Sequence, residues 1–155
     1  MIGFYDITEN VYDHLIADPN INSVKIGDIS EVDMNKQDMF PFAHILVSGA
    51  EFLHAVVRFT ITVSCMDIVD ITKNDLRDEA EKEKGIDNKQ DVLNSMLAVL
   101  ENLDRSLLQG ALFELDYELQ GSATAEPFED RFDNLVTGWS GSFTIDVPNT
   151  IQDCD

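Results

Sequence analysis

The chain has 155 residues, of which 44% are hydrophobic, and its 30 acidic and 10 basic side chains give a formal net charge of −20. One domain of this length buries roughly 70% of its unfolded surface, so it needs neither a metal nor a disulfide to fold. Such a charge argues against nonspecific nucleic-acid binding, which needs clustered Lys and Arg, and against docking on anionic membranes. It is equally consistent with a surface that keeps the chain soluble and monomeric until it assembles.

The N-terminus and the two cysteines indicate a protein made in the cytosol. The first residues lack a basic stretch followed by an apolar run, so we expect no signal peptide, and no apolar run is long enough to span a bilayer. We expect Cys65 to be a small buried hydrophobe, whereas Cys154 lies one residue from the C-terminus. A disulfide between the two stays open, although nothing resembles a secreted disulfide framework.

The first elements in chain order are a helix, a short strand and a loop. Thr8 is a candidate N-cap of a short helix, and Asp18-Pro19-Asn20 ends it because the residue before a proline avoids the helical region. Weak alternation in residues 21–27 predicts a short first strand. Residues 28–39 are polar and acidic, which predicts a loop.

The strongest pattern lies in the segment that follows this loop. From Leu53 to Cys65 every second residue is apolar and most intervening residues are polar, which predicts a long strand with one face on a core. Strands of about five or six residues are typical, so this length suits a subunit of a larger assembly. Phe42–Ser48 predicts the preceding strand, and Ser48–Glu51 predicts the turn of a hairpin that joins the two.

A charged insert and a helix follow the hairpin. Residues 72–90 have almost nothing to bury, which predicts either a mobile loop or a helix that frays, with Gly85 as a breaker. From Asp91 onward, apolar residues recur at helical spacing, and Gly110 ends the predicted helix.

Two alternating segments complete the predicted sheet. Leu112–Gln120 and Trp139–Val147 both alternate apolar and polar residues, and the acidic-aromatic segment 124–137 between them predicts a loop. The resulting order, α-β-β-β-α-β-β, predicts an α+β fold with one mostly antiparallel sheet of about five strands and helices packed on one face. We expect residues 1–150 to form this single domain with its charged insert, and residues 151–155 to form an acidic tail.

The sequence contains no recognisable catalytic, cofactor or metal site. His44 and His54 lie on neighbouring predicted strands, but no third ligand has a recognisable spacing and Cys65 faces away from His54. Residues 87–91 lack the alternating acids, central glycine and closing glutamate of a calcium loop. Phosphate-binding loops, nucleophile elbows and reactive Cys/His pairs are missing as well. We therefore expect a non-enzymatic protein that uses no metal and no cofactor.

Four segments of the chain carry a family resemblance. They are residues 27–37, Phe40–Ile45, Ser64–Asp70, and the stretch from Glu126-Pro127-Phe128 through Arg131–Asn134 to Gly138-Trp139. Together with the order of elements, they resemble the tail terminator (tail completion) proteins of long-tailed bacteriophages. The resemblance extends over about residues 22–150, and the charged insert is longer than the pattern of that family.

The resemblance implies a virion structural protein that is assembled in the host cytoplasm. Its subunits form a homo-oligomeric ring, typically a hexamer, at the head-proximal end of the tail tube. The ring stops growth of the tail tube protein and joins the tail to the neck or connector (stopper) protein. DNA passes through the lumen without specific binding, and no membrane is involved.

The candidate interface residues are aromatic and polar side chains of the loops and of the outer strand face. Loop aromatics are reasonable interface anchors, although they are equally consistent with lids folded over the core of the domain itself. The candidates are Phe40, Pro41, His54, Arg58, Phe128, Arg131 and Phe132.

Three alternatives stay open at this point. The sequence is also consistent with a ring formed by another head-tail connector protein, such as a stopper or neck protein. A small acidic protein-binding module that mimics the charge of DNA predicts instead a monomer or dimer with acids along one face. A metal-dependent enzyme built on His44 and His54 is the third alternative.

Overall fold

The computed structural model describes residues 3–28, 39–69, 89–128 and 136–148, which form one sheet of six strands with two long helices and one short helix. The predicted α+β class is confirmed. The sheet is antiparallel except for one parallel pair, and both long helices pack on the same face. Most of the charged insert, the acidic tail and Cys154 lie outside the described residues.

Helix α1 (Gly3–Ile16) begins earlier than the sequence predicts. Its buried side chains recur every four residues, which gives one continuous apolar stripe. The prediction that Thr8 caps this helix is wrong, because Thr8 lies inside it and its hydroxyl donates to the Phe4 carbonyl at 2.8 Å. The predicted end is confirmed, and there Asp18 Oδ1 accepts the Asn20 amide at 2.9 Å.

Strands β1 (Ser23–Ile26), β2 (Phe42–Phe52) and β3 (Val56–Ile68) confirm the predicted short strand and hairpin. The predicted start of the long strand at Leu53 is wrong, because residues 53–55 form the hairpin turn, where the Leu53 amide donates to the Val56 carbonyl at 3.0 Å. β1 runs parallel to β2, and β2 runs antiparallel to β3. The predicted turn at Ser48–Glu51 is wrong, because the ladder continues to the end of β2. The register shifts between Val47 and Gly49. A bulge there absorbs one residue, so its Ser-Gly pair resembles a turn in the sequence.

Helix α2 (Lys89–Gln109) confirms the second predicted helix and its end. A Cβ atom on Gly110 would lie 2.8 Å from the Ser106 Cα, so this glycine permits a close approach of the backbone. At the other end, Trp139 Nε1 donates to the Leu93 carbonyl at 2.8 Å, which fixes the start of the helix over the sheet.

The segment 112–120 differs most from its prediction as a strand. It forms helix α3 (Ala111–Glu114), a turn in which Asp116 has a φ of 65°, and the two-residue strand β4 (Glu118–Leu119). Its alternating apolar residues do not share one face, because Tyr117 is buried while Phe113 and Leu115 are half-exposed. The apolar-polar alternation of this segment therefore does not correspond to a continuous strand.

The last two strands are β5 (Thr124–Phe128) and β6 (Val136–Pro148). β6 confirms the final predicted strand and extends it at both ends. The prediction of a loop over 124–137 is wrong for β5, and residues 129–135 of that segment lie outside the described part. The strand order is β1-β2-β3-β6-β4, with β5 also paired to β6 beside β4.

The main core fills the space between the two long helices and the sheet. Cys65 is fully buried there as a free thiol, and burial raises its pKa, which confirms the expected small hydrophobe. Each large aliphatic side chain buried in this way stabilises the fold by about 1.5–3 kcal/mol. The largest fully buried members are Ile7, Leu15, Ile45, Ile61, Met96, Leu103, Leu107 and Ile145.

Candidate assembly surface

The sheet has an outer face, opposite the helices, that is mostly polar. Because side chains alternate along a strand, β3 and β6 place their apolar residues on the core and their hydroxyl groups on the outer face. Ser64 Oγ and Ser140 Oγ lie 3.1 Å apart across this pair of strands. The partly or fully exposed hydroxyl residues of the outer face are Thr60, Thr62, Ser64, Ser140, Ser142 and Thr144.

Arg58, one of the predicted interface residues, lies on the outer face in an ion pair with its own sheet. Its Nε lies 2.8 Å from Asp146 Oδ1 and its Nη2 lies 3.2 Å from Oδ2, while Glu51 is 3.8 Å away. Asp146 is only 7% exposed, so the guanidinium satisfies a buried carboxylate. The hydrogen bond to Asp146 raises the pKa of Arg58. A contact of Arg58 with another molecule stays a prediction.

The predicted loop aromatics are buried inside the chain. Phe40 is 8% exposed and Phe128 is 6% exposed, and both belong to a small cluster on the outer face at one end of the sheet. This burial favours the second of the two predicted roles, lids folded over the domain itself, over exposed interface anchors. We call this group the outer cluster. Its buried members are Phe40, Phe42, Met66, Phe128 and Val136.

Three of the four segments that carry the family resemblance meet at the outer cluster. Phe40–Ile45, Ser64–Asp70 and the stretch from Glu126 to Trp139 each contribute buried residues to it. Pro41 is partly exposed beside it, and its carbonyl accepts the Asn22 amide at 2.8 Å. Arg131 and Phe132, also predicted for the interface, lie outside the described residues.

The two histidines do not approach each other. His44 pairs with Ser64 near the start of β2, whereas His54 is exposed in the hairpin turn, roughly 30 Å along the strand at about 3.3 Å per residue. Burial lowers the pKa of His44, opposed by a hydrogen bond with the Gly27 backbone. Within the four described ranges, no group of three or more His, Cys, Asp or Glu side chains could hold a metal ion.

Strand β2 has a free edge that the sequence did not reveal. β1 pairs only with Phe42–Ile45, so residues 46–52 lack a second neighbouring strand among the residues described. Phe52, near the hairpin turn, is 78% exposed, the highest value among the large hydrophobic side chains that the structure describes. The missed signal is the bulge, which changes the phase of the alternation and brings Phe52 opposite Val57.

Strand β5 provides a second free edge on the opposite side of the sheet. It pairs only with β6 in the described part of the chain, and Thr124–Pro127 are exposed. Pro127 lacks an amide proton, which is typical of an edge position and weakens pairing by the backbone alone.

A groove of about 310 Å³ lies between α2 and the β5 edge, on the helix side of the sheet. Gly141 forms part of its floor, since a Cβ atom there would lie 3.2 Å from Leu100 and 3.0 Å from Phe143. Ala125 lies directly opposite Gly141 across the two strands. The groove is lined by the apolar residues Leu97, Leu100, Ala123, Ala125, Gly141 and Phe143 and by the polar residues Glu101, Asp104 and Thr124.

Two comparisons with known proteins give no match for this chain. A scan against protein-family models finds no match, and a search of curated proteins finds none either. Neither described long helix combines the length and apolar character that crossing a membrane requires. The family resemblance of the four sequence segments therefore stays a prediction.

Proposed function

We propose that this chain is a non-enzymatic virion structural protein, a tail terminator that forms a ring at the head-proximal end of a phage tail tube. The ring stops tube growth and joins the tail to the neck or connector protein. The observation that carries this proposal is that, among the residues described, one sheet has two different free edges on its opposite sides. Head-to-tail rings need two such surfaces on every subunit, because each copy contacts its two neighbours differently.

The charge of the chain supports the same role. A net charge of −20 on each copy gives a ring whose surface repels phosphates. DNA that passes through such a lumen is not retained by nonspecific contacts with Lys and Arg. The charge also keeps free subunits apart at low ionic strength, so assembly depends on screening or on a template.

The outer cluster supports the resemblance at the level of the fold. Segments far apart in the chain, around Phe42, Met66 and Phe128, meet in one small hydrophobic group on a face that is otherwise polar. The segments that resemble the tail terminator family therefore lie together in one place in the fold, the outer cluster. It does not by itself specify a partner.

The test is the length of tubes assembled from tail tube protein with and without this chain. We expect shorter tubes of uniform end structure, with a ring at one end in negative-stain images. Polyglutamate of matched charge is the control for an effect of charge alone. Tubes of unchanged length that carry no ring would contradict the proposal.

A small acidic binding module is the second candidate, because the charge alone favours it. It differs from the ring by acting as a monomer or dimer that binds a basic protein. Salt-sensitive binding to a basic partner by a chain that never forms a ring would favour this candidate. A stopper or neck ring is distinguished from a terminator by binding to the connector but not to the tube.

A further inference from the structure

We propose that Phe52 of one copy inserts into the groove between α2 and β5 of the next copy, as the free edges of β2 and β5 come together. This inference rests on the proposed function, since it assigns the contact between neighbouring subunits of the ring. Phe52 and the groove are the protruding and the receiving halves of one contact, and they lie at opposite edges of the sheet.

Phe52 and the groove are on the same side of the sheet. Phe52 pairs with Val57, which is buried in the main core, and residues directly opposite in an antiparallel pair share a face. Ala125 of the groove pairs with Gly141, which approaches Leu100 of α2. Both features therefore face the helix layer, and a neighbour placed edge to edge in the same orientation brings them together once it is displaced along the strands.

The strand directions are also compatible. β2 and β6 are both antiparallel to β3, and β5 is antiparallel to β6, so β2 of one copy runs antiparallel to β5 of the next. The free part of β2 lies level with residues 142–147 of β6, whereas β5 lies level with residues 138–142. Neighbouring copies are thus staggered along the strands, which a closed ring accommodates when its strands are inclined to the axis.

The size and charge of the two surfaces fit an aromatic side chain in an apolar groove. A groove of about 310 Å³ is roughly twice the ~150 Å³ cavity that accepts a benzene ring. Residues 46–52 contain one ionisable side chain, Glu51, which lies 3.8 Å from Arg58. The free part of β2 therefore brings only one carboxylate, Glu51, toward a groove whose lining includes Glu101 and Asp104, which limits the repulsion that salt must screen. Because Pro127 weakens the backbone pairing, the inserted ring supplies the main stabilising contact.

The test compares two disruptive variants with two matched controls. Phe52→Ser removes the protruding ring, and Ala125→Phe fills the groove from its exposed rim. Phe113→Ser makes the first change at a different aromatic residue, which is half-exposed, and Ser142→Phe adds a ring to an exposed position of the outer face. Circular dichroism shows whether each variant keeps the fold, and sedimentation velocity at moderate salt gives the assembly state over a range of concentrations.

We expect the two disruptive variants to need about tenfold more protein than wild type to assemble, as for loss of a buried aromatic anchor. The two controls should assemble as wild type does. A mixture of Phe52→Ser and Ala125→Phe should form dimers where each alone is monomeric, because one retains the groove and the other retains Phe52.

Three results would overturn the inference: a wild-type chain that stays monomeric at all concentrations, disruptive variants that assemble normally, or a mixture that forms no dimer. Failure of the proposed function gives a different result. In that case the variants and the mixture behave as expected, but the wild-type assemblies neither close into rings nor shorten tail tubes.

Discussion

The two faces of the sheet differ in what covers them, although the same strands build both. On the helix side, Ile61, Val63 and Ile145 are essentially inaccessible to solvent. On the outer face, their neighbours Thr62 and Thr144 are partly exposed, with no described helix above them. A single alternating strand thus specifies a finished core on one side and a surface available to partners on the other.

The outer face is itself divided. One end carries the outer cluster of aromatic and aliphatic side chains, and the other end carries the ion pair of Arg58 and Asp146. Stability that depends on this face should therefore be concentrated at the cluster, where apolar area is buried.

The largest effect is expected at Gly138 of β6, where the backbone of the neighbouring strand β3 leaves no room for a side chain. A Cβ atom on Gly138 would lie 1.9 Å from the Cys65 carbonyl oxygen and 2.8 Å from the Met66 Cα, both backbone atoms. Gly138→Ala should therefore lower the free energy of unfolding by about 4 kcal/mol or more. Urea denaturation measures it, with Gly49→Ala as the control, since a Cβ there meets nothing within 4 Å. Equal midpoints for the two variants would contradict the close strand approach.

Adjacent residues of β3 compare the two faces directly. Ile61→Ala should cost about 3 kcal/mol, because it leaves a cavity in the main core. Thr62→Ala should change stability by about 0.5 kcal/mol or less, because its side chain lies on the solvated face. Thermal unfolding of both variants gives the difference. Comparable losses would mean that the outer face is as tightly packed as the core.

A buried residue of the outer cluster should contribute less to the free energy of unfolding than one of the main core, but more than an exposed hydroxyl residue of the outer face. Phe128→Ala is expected to cost about 2 kcal/mol, since the ring is buried but lies on an edge strand in a small cluster. Pro127→Ala, one residue away and exposed, is the control. If Phe128→Ala left the urea midpoint where it is in the control, Phe128 would be an exposed anchor rather than a lid.

The smallest effect concerns the pH dependence of stability through His44. His44 is 3% exposed, and its Nε2 has no hydrogen-bond partner among the residues that the structure describes. Burial lowers the pKa of His44, the Gly27 backbone and Asp28 oppose this, and Lys25 adds to the lowering. A lowered pKa in the folded state means that the unfolded chain binds the proton first. Stability from neutral His44 is thus fully present above about pH 6.5 and declines as the pH falls toward the folded pKa.

Unfolding free energies of wild type and His44→Gln between pH 5 and pH 8, values that bracket the ordinary histidine pKa of about 6.5, measure this effect. We expect wild type to lose more stability than the variant on acidification. His14, whose pKa burial also lowers, is present in both proteins and so does not affect the difference. Parallel curves would mean that His44 is solvated.

The long regular elements could be predicted from the sequence because a single periodicity governs each of them. β3, β6 and α2 have an uninterrupted apolar repeat, so burial alone determines their type. The predicted start of α1 is wrong because Thr8, a residue type common at N-caps, lies inside the helix instead. Its hydroxyl donates to the carbonyl of Phe4, one turn earlier. β5 was missed because its proline and exposed positions resemble a loop.

The candidate surfaces could not be predicted, because residues distant in sequence build them. Whether Phe40 and Phe128 are anchors or lids depends on the strands they lie against, and their own segments do not contain that information. The groove brings together Leu97, Ala125 and Gly141 from three elements, and two of them are small residues without any sequence signal. The face on which Phe52 lies depends on the bulge in β2, which the sequence does not predict.

The most direct test of the account is the mass of the protein in solution, measured by light scattering at moderate salt, alone and with tail tube protein. From the proposed ring we expect a closed assembly of about six chains of 17.4 kDa each, formed by the chain alone or on the end of the tube. A protein that keeps the mass of one chain under both conditions would contradict it and favour the acidic binding module.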